Sequence, residues 1–148
     1  MESLNLTINQ ITDDDLEFFK DKLNSEFDDF WTYSILEEEC KNQNTIYIVA
    51  KQDDEIVGFA GILKILNEAN IMNIVVKKDK RKLGIGKQLL SELIKISKEQ
   101  KMESITLEVN EHNIPAIALY EKFGFKTVGI RKKYYNNTDS AILMTLYL

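Results

Sequence analysis

Cysteine is nearly absent from this chain. Cys40 is the only one in 148 residues, so no internal disulfide can form, and the expected setting is reducing and cytoplasmic. No apolar run is long enough to cross a bilayer, and the first residues lack the basic-then-apolar order of a secretory signal. Histidine is also scarce. His112 stands alone, and no His, Cys and carboxylate cluster has metal-ligand spacing, so no metal is expected. Cys40 falls in a predicted helix with no histidine partner and reads as structural. Linkers rich in Pro, Gly or Ser, low-complexity segments and internal repeats are missing too. What is left is one domain, residues 1–148, long enough for a core without staples.

The net charge of −5 argues against a nucleic-acid partner, since binding there rests on Lys and Arg neutralising phosphates. The charge is uneven, however. Acids crowd the first third ("TDDDLEFFKD", "EFDDF", "EEE"), and basic residues crowd positions 77–87 and 131–133. A basic spot on an acidic body points to a small anionic ligand.

Periodicity and punctuation place the elements. "LNLTINQI" alternates as a strand. Thr12 caps a helix with acids in its first turn, expected to run to about Asn24. "EFDDFWTYS" reads as a loop and Tyr33–Lys41 as a second helix. "TIYIVAKQ" and "IVGFAGILKI" form a hairpin across "DDE"; "NEAN" reads as a turn and "IMNIVV" as a fourth strand. Leu89, Leu90, Leu93, Ile94 and Ser97 make the apolar stripe of a third helix. "SITLEV" is a strand. Asn113 caps a helix with Pro115 in its first turn and Gly124 after its end. Two strands close the chain around "NNTD". The fold class is therefore α+β: a mixed, mostly antiparallel seven-stranded sheet with one parallel pair, flanked by four helices.

The stretch "VVKKDKRKLGIGKQLL" carries the first functional signal. It fails as a Walker loop, because Gln88 follows Gly86-Lys87 and Arg81 stands where the first glycine belongs. It fails as a dinucleotide fingerprint, because Leu89 occupies the third glycine position. Arg81-x-x-Gly84-x-Gly86 before a helix still suits an anion. Glycines let backbone N–H groups turn toward a ligand, and the first amides of a helix lack internal partners. Arg81, Lys82 and Lys87 supply charge, while Lys77, Lys78 and Lys80 read as a solvated turn.

That loop, preceded by "IMNIVV" and followed by "LEVNEHNIPAIALYEKFGF", resembles the GNAT superfamily of acetyl-CoA-dependent N-acetyltransferases. The ending "YYNNTDSAILM" makes the resemblance strongest for the RimI-type, the ribosomal-protein alanine N-acetyltransferases. The resemblance implies acetyl-CoA as co-substrate, with Leu83–Lys87 and Arg81 at its pyrophosphate. Backbone N–H groups of Ile74, Val75 and Val76 would serve its arm or thioester, provided that strand splays from the next one.

Two further sets of residues fit the chemistry of amide formation. Thr106, Glu108 and Asn110 share one strand face. Asn113, Ala116 and Tyr120 fall on one helical stripe, with Ala116 leaving room for a ligand. An α-amine must lose a proton before attack, a role for Glu108 through a water, and a departing thiolate needs one, a role for Tyr120. Taken singly, Glu108 also reads as an acid paired with a cation, Tyr120 as a core tyrosine and Asn113 as a helix cap. His112 reads as a loop residue, with a proton relay as its other reading.

For the acceptor, the resemblance implies a protein N-terminus or peptide walled by Trp31, Tyr134 and Tyr135, with Asp28 or Asp29 attracting the ammonium. Asn136 stands where the family carries a proline after the tyrosine pair. A small amine, a lysine side chain, a non-catalytic acyl-CoA sensor and a nucleic-acid binder are the alternatives. The expected partners are a ribosomal protein, no nucleic acid and no membrane, with the chain a monomer or weak homodimer.

Overall fold

The computed structural model describes residues 5–27, 32–135 and 138–148, without the side chains of residues 133–135. Seven strands carry the fold: β1 Leu6–Gln10, β2 Thr45–Gln52, β3 Glu55–Ile65, β4 Glu68–Val76, β5 Ser104–Asn110, β6 Lys126–Tyr135 and β7 Asp139–Tyr147. Among the described residues there are four α-helices: α1 Asp13–Phe18, α2 Tyr33–Lys41, α3 Ile85–Glu99 and α4 Ile114–Lys122. The strand order is β1-β2-β3-β4-β5-β7-β6. Pairing of β4 with β5 is parallel, over Glu68–Asn70 and Ser104–Thr106; the β1–β2, β2–β3, β5–β7 and β6–β7 pairs are antiparallel. The mixed seven-stranded sheet with one parallel pair is the one the element order implied.

The chain forms two compact units. The first comprises residues 1–63 and 72–95. Its α1 opens on a capping box: Asp15 N–H donates to Thr12 Oγ1 (3.1 Å) and Thr12 N–H to Asp15 Oδ2 (3.0 Å). The helix stops at Phe18 rather than near Asn24, and Leu23–Phe27 forms a π-helical turn across the expected helix end and the first two residues of the expected loop. Packing overrides the local helical pattern here. Phe19 lies edge-on to Phe27 (5.1 Å) and to Phe59 of β3 (5.0 Å), and all three rings are fully buried. Leu16, Leu23, Leu36, Tyr47, Val49 and Val75 complete this core.

The β2–β3 hairpin turns through Asp53 and Asp54, both left-handed at φ 52° and 68°. Left-handed backbone at both central positions matches the twist of the flanking strands, and aspartate tolerates it.

The second unit comprises residues 64–71 and 96–148. The expected turn "NEAN" is shorter than its sequence suggested. Only Leu66 and Asn67 turn, and Glu68–Asn70 already pair in the sheet, with Ala69 fully buried. Ile105, Leu107, Val109 and Met144 are buried on one face of β5 and β7. Polar residues populate the other face. Thr106 Oγ1 donates to Glu68 Oε1 and lies 2.9 Å from Thr145 Oγ1.

Candidate active site

In the first unit, the glycine loop follows β4 through a short 3-10 turn, Lys78–Lys80. Lys82 (φ 65°) and Gly84 (φ 88°) are left-handed, which bends the chain into α3. The amides of Ile85, Gly86 and Lys87 open a 15-residue helix, so they lack intrahelical acceptors and carry its positive dipole end. Gly86 has an ordinary φ, and a Cβ built on it meets only Val76 Cγ2, at 3.8 Å. Neither a left-handed backbone nor tight packing against the described residues requires glycine there. Lys82, Leu83 and Lys87 are exposed, and Ile85 is buried as the anchor of the helix. A phosphate-bearing ligand fits this arrangement of free amides, glycine and flanking lysines.

Arg81 is committed to the backbone. Its Nε donates to Val76 O (3.1 Å) and its Nη2 to Phe27 O (2.8 Å), tying the loop to the end of β4 and to the π turn. Lys77 departs further from expectation. It is not part of a solvated turn: its side chain is 13% exposed and its ammonium meets Glu55 (2.5 Å), Glu26 (3.5 Å) and Asp79 (3.8 Å). The hydrogen bond that Lys77 donates to Glu55 raises the lysine's affinity for its proton and lowers that of the carboxyl. Lys78 also reaches back, donating to Asn24 O (3.4 Å). Three consecutive-turn cations thus moor the loop to neighbouring segments, a role for charge that the composition does not distinguish from solvation.

On β4, Ile74 and Val76 are half-buried and Val75 is buried. The parallel ladder to β5 ends at Asn70 and Thr106. Asn73 is the residue that sequence reasoning missed. Its Oδ1 and Nδ2 are both buried, and neither has a hydrogen-bond partner among the described residues. The only sequence signal was an amide inside the apolar run "IMNIVV".

In the second unit, Glu108 is exposed on the polar face of β5, as the alternation required. Its Oε1 lies 2.9 Å from Arg131 Nη2. The partner cation that sequence reasoning held as the alternative for this acid is therefore present. Asn113 caps α4, its Oδ1 accepting from Ala116 N–H at 3.3 Å, and Pro115 sits in the first turn. Tyr120 is half-buried, its ring tilted against Phe125 at 5.7 Å. Ala116 is half-buried on the same helix. His112 faces Asp139 (3.5 Å) and Glu111 (3.7 Å), and Asn110 Nδ2 donates to Asp139 Oδ2 (3.1 Å). Cys40 is half-buried in α2, where burial pushes its thiol up to about 11, so at neutral pH it is not a thiolate nucleophile.

Of the acceptor candidates, Asp28, Asp29 and Trp31 lie outside the described residues. Tyr134 and Tyr135 fall in β6, and their side chains lie outside the described part. No helix among the described residues is long and apolar enough to cross a membrane.

Comparison with known proteins joins the two halves of the motif set. The model of the acetyltransferase (GNAT) family matches residues 8–125, from β1 to the end of α4. The ribosomal protein bS18-alanine N-acetyltransferase of Haemophilus influenzae is 37% identical over 124 residues, covering 80% of this chain and 82% of that protein. The crystal structure of the corresponding Escherichia coli enzyme aligns with a TM-score of 0.87 at 29% identity, over 96% of this chain and 93% of that one. A Bacillus anthracis acetyltransferase solved in complex with acetyl coenzyme A aligns with a TM-score of 0.78 at 28% identity, over 97% and 99% of the two chains. The matched span takes in the glycine loop, the Glu108 strand and the Tyr120 helix, and the chain belongs to the GNAT family of N-acetyltransferases.

Proposed function

We propose that this enzyme moves the acetyl group of acetyl-CoA onto the α-amine of a protein N-terminus, with the N-terminal alanine of ribosomal protein bS18 as acceptor. The acceptor is inferred from the relatives' specificity, and a ribosomal substrate implies work in the cytoplasm. Gly86 carries the co-substrate half of the reading: glycine there has no purpose inside the protein and suits a pyrophosphate against the first amides of α3. Lys82 and Lys87 stand exposed beside it to meet further phosphate charge. The end of the β4–β5 ladder at Asn70 supports use of the Ile74–Val76 amides for the arm and the thioester oxygen. Ala116 leaves room on α4 for the same arm, and Asn113 orders the start of that helix.

Transfer is direct. Glu108 accepts the proton of the incoming ammonium through a water, and the amine nitrogen bonds to the acetyl carbon. The carbon–sulfur bond then breaks, the Tyr120 hydroxyl protonates the departing thiolate, and the second proton of the new amide nitrogen passes through water to restore the Tyr120 hydroxyl. The family resemblance alone assigns Trp31, Tyr134 and Tyr135, whose side chains lie outside the described part, to the acceptor.

The test is to incubate the enzyme with acetyl-CoA and peptides beginning with Ala or Ser, and to read N-terminal acetylation by mass spectrometry. Acetylated Ala-starting peptides are expected. No acetylation of any of them, with thiol release on adding a polyamine or lysine, moves the acceptor to a small amine or a side chain. No thiol release with any amine leaves an acyl-CoA-binding sensor.

A further inference from the structure

The Asn73 amide is a feature of the first unit that neither the fold nor the proposed roles use. Buried amide atoms without partners are rare, because they forfeit the hydrogen bonds that water supplied in the unfolded chain. Both polar atoms of Asn73 are in that state.

Its position narrows what would satisfy it. Its strand neighbours Met72 and Val75 both pack on the core that holds Phe27 and Phe59. Val76 abuts the loop at Gly86, so Asn73 stands three residues, roughly 10 Å of strand, away from the pyrophosphate end. Chemistry narrows it further. A primary amide is neutral and offers donors on one atom and acceptor positions on the other. An ion would satisfy only one of the two, and an apolar group neither. A second amide satisfies both at once, its carbonyl accepting from Nδ2 and its N–H donating to Oδ1.

We infer that Asn73 is a substrate-positioning residue that pairs with an amide group of a bound ligand. The inference rests on the acetyl-transfer reading above. Two ligands of that reaction carry such amides, the backbone of a peptide acceptor and the pantetheine arm of acetyl-CoA.

The experiment uses the full chain, acetyl-CoA and an Ala-starting peptide, with Asn73→Leu, close in shape and apolar. The free variant is expected to melt at a higher temperature than the native protein, because an unsatisfied amide has been removed. It is also expected to lose about tenfold in one ligand constant. A raised KM for peptide with unchanged acetyl-CoA affinity assigns the acceptor; weakened acetyl-CoA binding with unchanged peptide KM assigns the arm. Unchanged constants for both ligands overturn the inference, whatever the melting temperature does. Asn73→Ser covers the case in which leucine does not fold and is read the same way. If native enzyme acetylates no peptide, the acceptor reading has failed by itself, and the acetyl-CoA arm still decides on Asn73 by direct binding.

Discussion

Glu108 and Arg131 form an ion pair that spans a strand. Glu108 lies on β5 and Arg131 on β6, with β7 between them, and their side chains meet at 2.9 Å. On β7, Leu143 stands opposite Glu108 and Ala141 opposite Arg131. The arginine reaches diagonally past a side chain of one carbon. The pair engages Oε1. Glu108→Gln is expected to lower kcat by about 10²–10⁴-fold, the range for a positioned general base. Arg131→Gln is expected to lower it by about tenfold, with partial rescue in Arg131→Lys, and to leave the melting temperature nearly unchanged because a half-exposed pair contributes little stability. Steady-state thiol release measures both. Full activity in Arg131→Gln would make the pair a surface contact.

Tyr120 separates packing from chemistry cleanly, because phenylalanine keeps the ring against Phe125 and removes only the hydroxyl. Tyr120→Phe is expected to slow turnover by at least about 10²-fold while retaining acetyl-CoA affinity. Calorimetric titration beside steady-state kinetics checks this. Equal losses in both would make Tyr120 a packing residue.

The two loop glycines should behave in opposite ways. Gly84 is held at φ 88°, where an L side chain is strained, so Gly84→Ala is expected to cost about 1 kcal/mol of stability. Gly86 lies in the first turn of α3, where an added Cβ would make only ordinary contact with Val76 Cγ2, so Gly86→Ala is expected to leave stability unchanged or to raise it by up to about 1 kcal/mol. Gly86→Val, which pushes branched bulk toward the ligand, is expected to weaken acetyl-CoA binding tenfold or more with the fold intact. Chemical denaturation and acetyl-CoA titration give the two readouts.

Asp15 predicts a pH signature of folding. Burial pushes its carboxyl up, but the hydrogen bonds from Lys51 (2.8 Å) and from the Thr12 N–H and hydroxyl outweigh it, and the net shift is downward. A depressed folded pKa means stability that is present above the unfolded value, near 3.9, and lost as pH falls through the folded one. Asp15→Asn is therefore expected to cost about 1–2 kcal/mol at pH 7, through the lost ion pair and capping box, with the difference closing in acid. Melting temperatures of both proteins between pH 7 and pH 2 test it. A constant difference would place the effect in packing.

Local rules read much of this protein from its residues. The α2 bounds Tyr33–Lys41, the cap of Asn113 on α4 and the shared face of Thr106, Glu108 and Asn110 all follow from interactions within a few residues, or from the two-residue period of a strand. The glycine loop was legible for the same reason, since a left-handed Gly84 and a helix N-terminus are local demands.

Tertiary packing decided the rest. The early end of α1 came from seating Phe19 and Phe27 against Phe59, a partner more than 30 residues away in sequence. Lys77 looked solvated because its acids, Glu26 and Glu55, lie on other segments. Arg131 met Glu108 only through the register of three strands, and the isolation of the Asn73 amide is a property of everything around it. The sequence by itself determined the order of elements, the faces of the strands and the glycine loop that opens α3, because caps, turns and periodicity act over a few residues. Which charges are paired and which polar atom is left unpaired needed the folded chain, because those depend on neighbours that sequence separation does not encode.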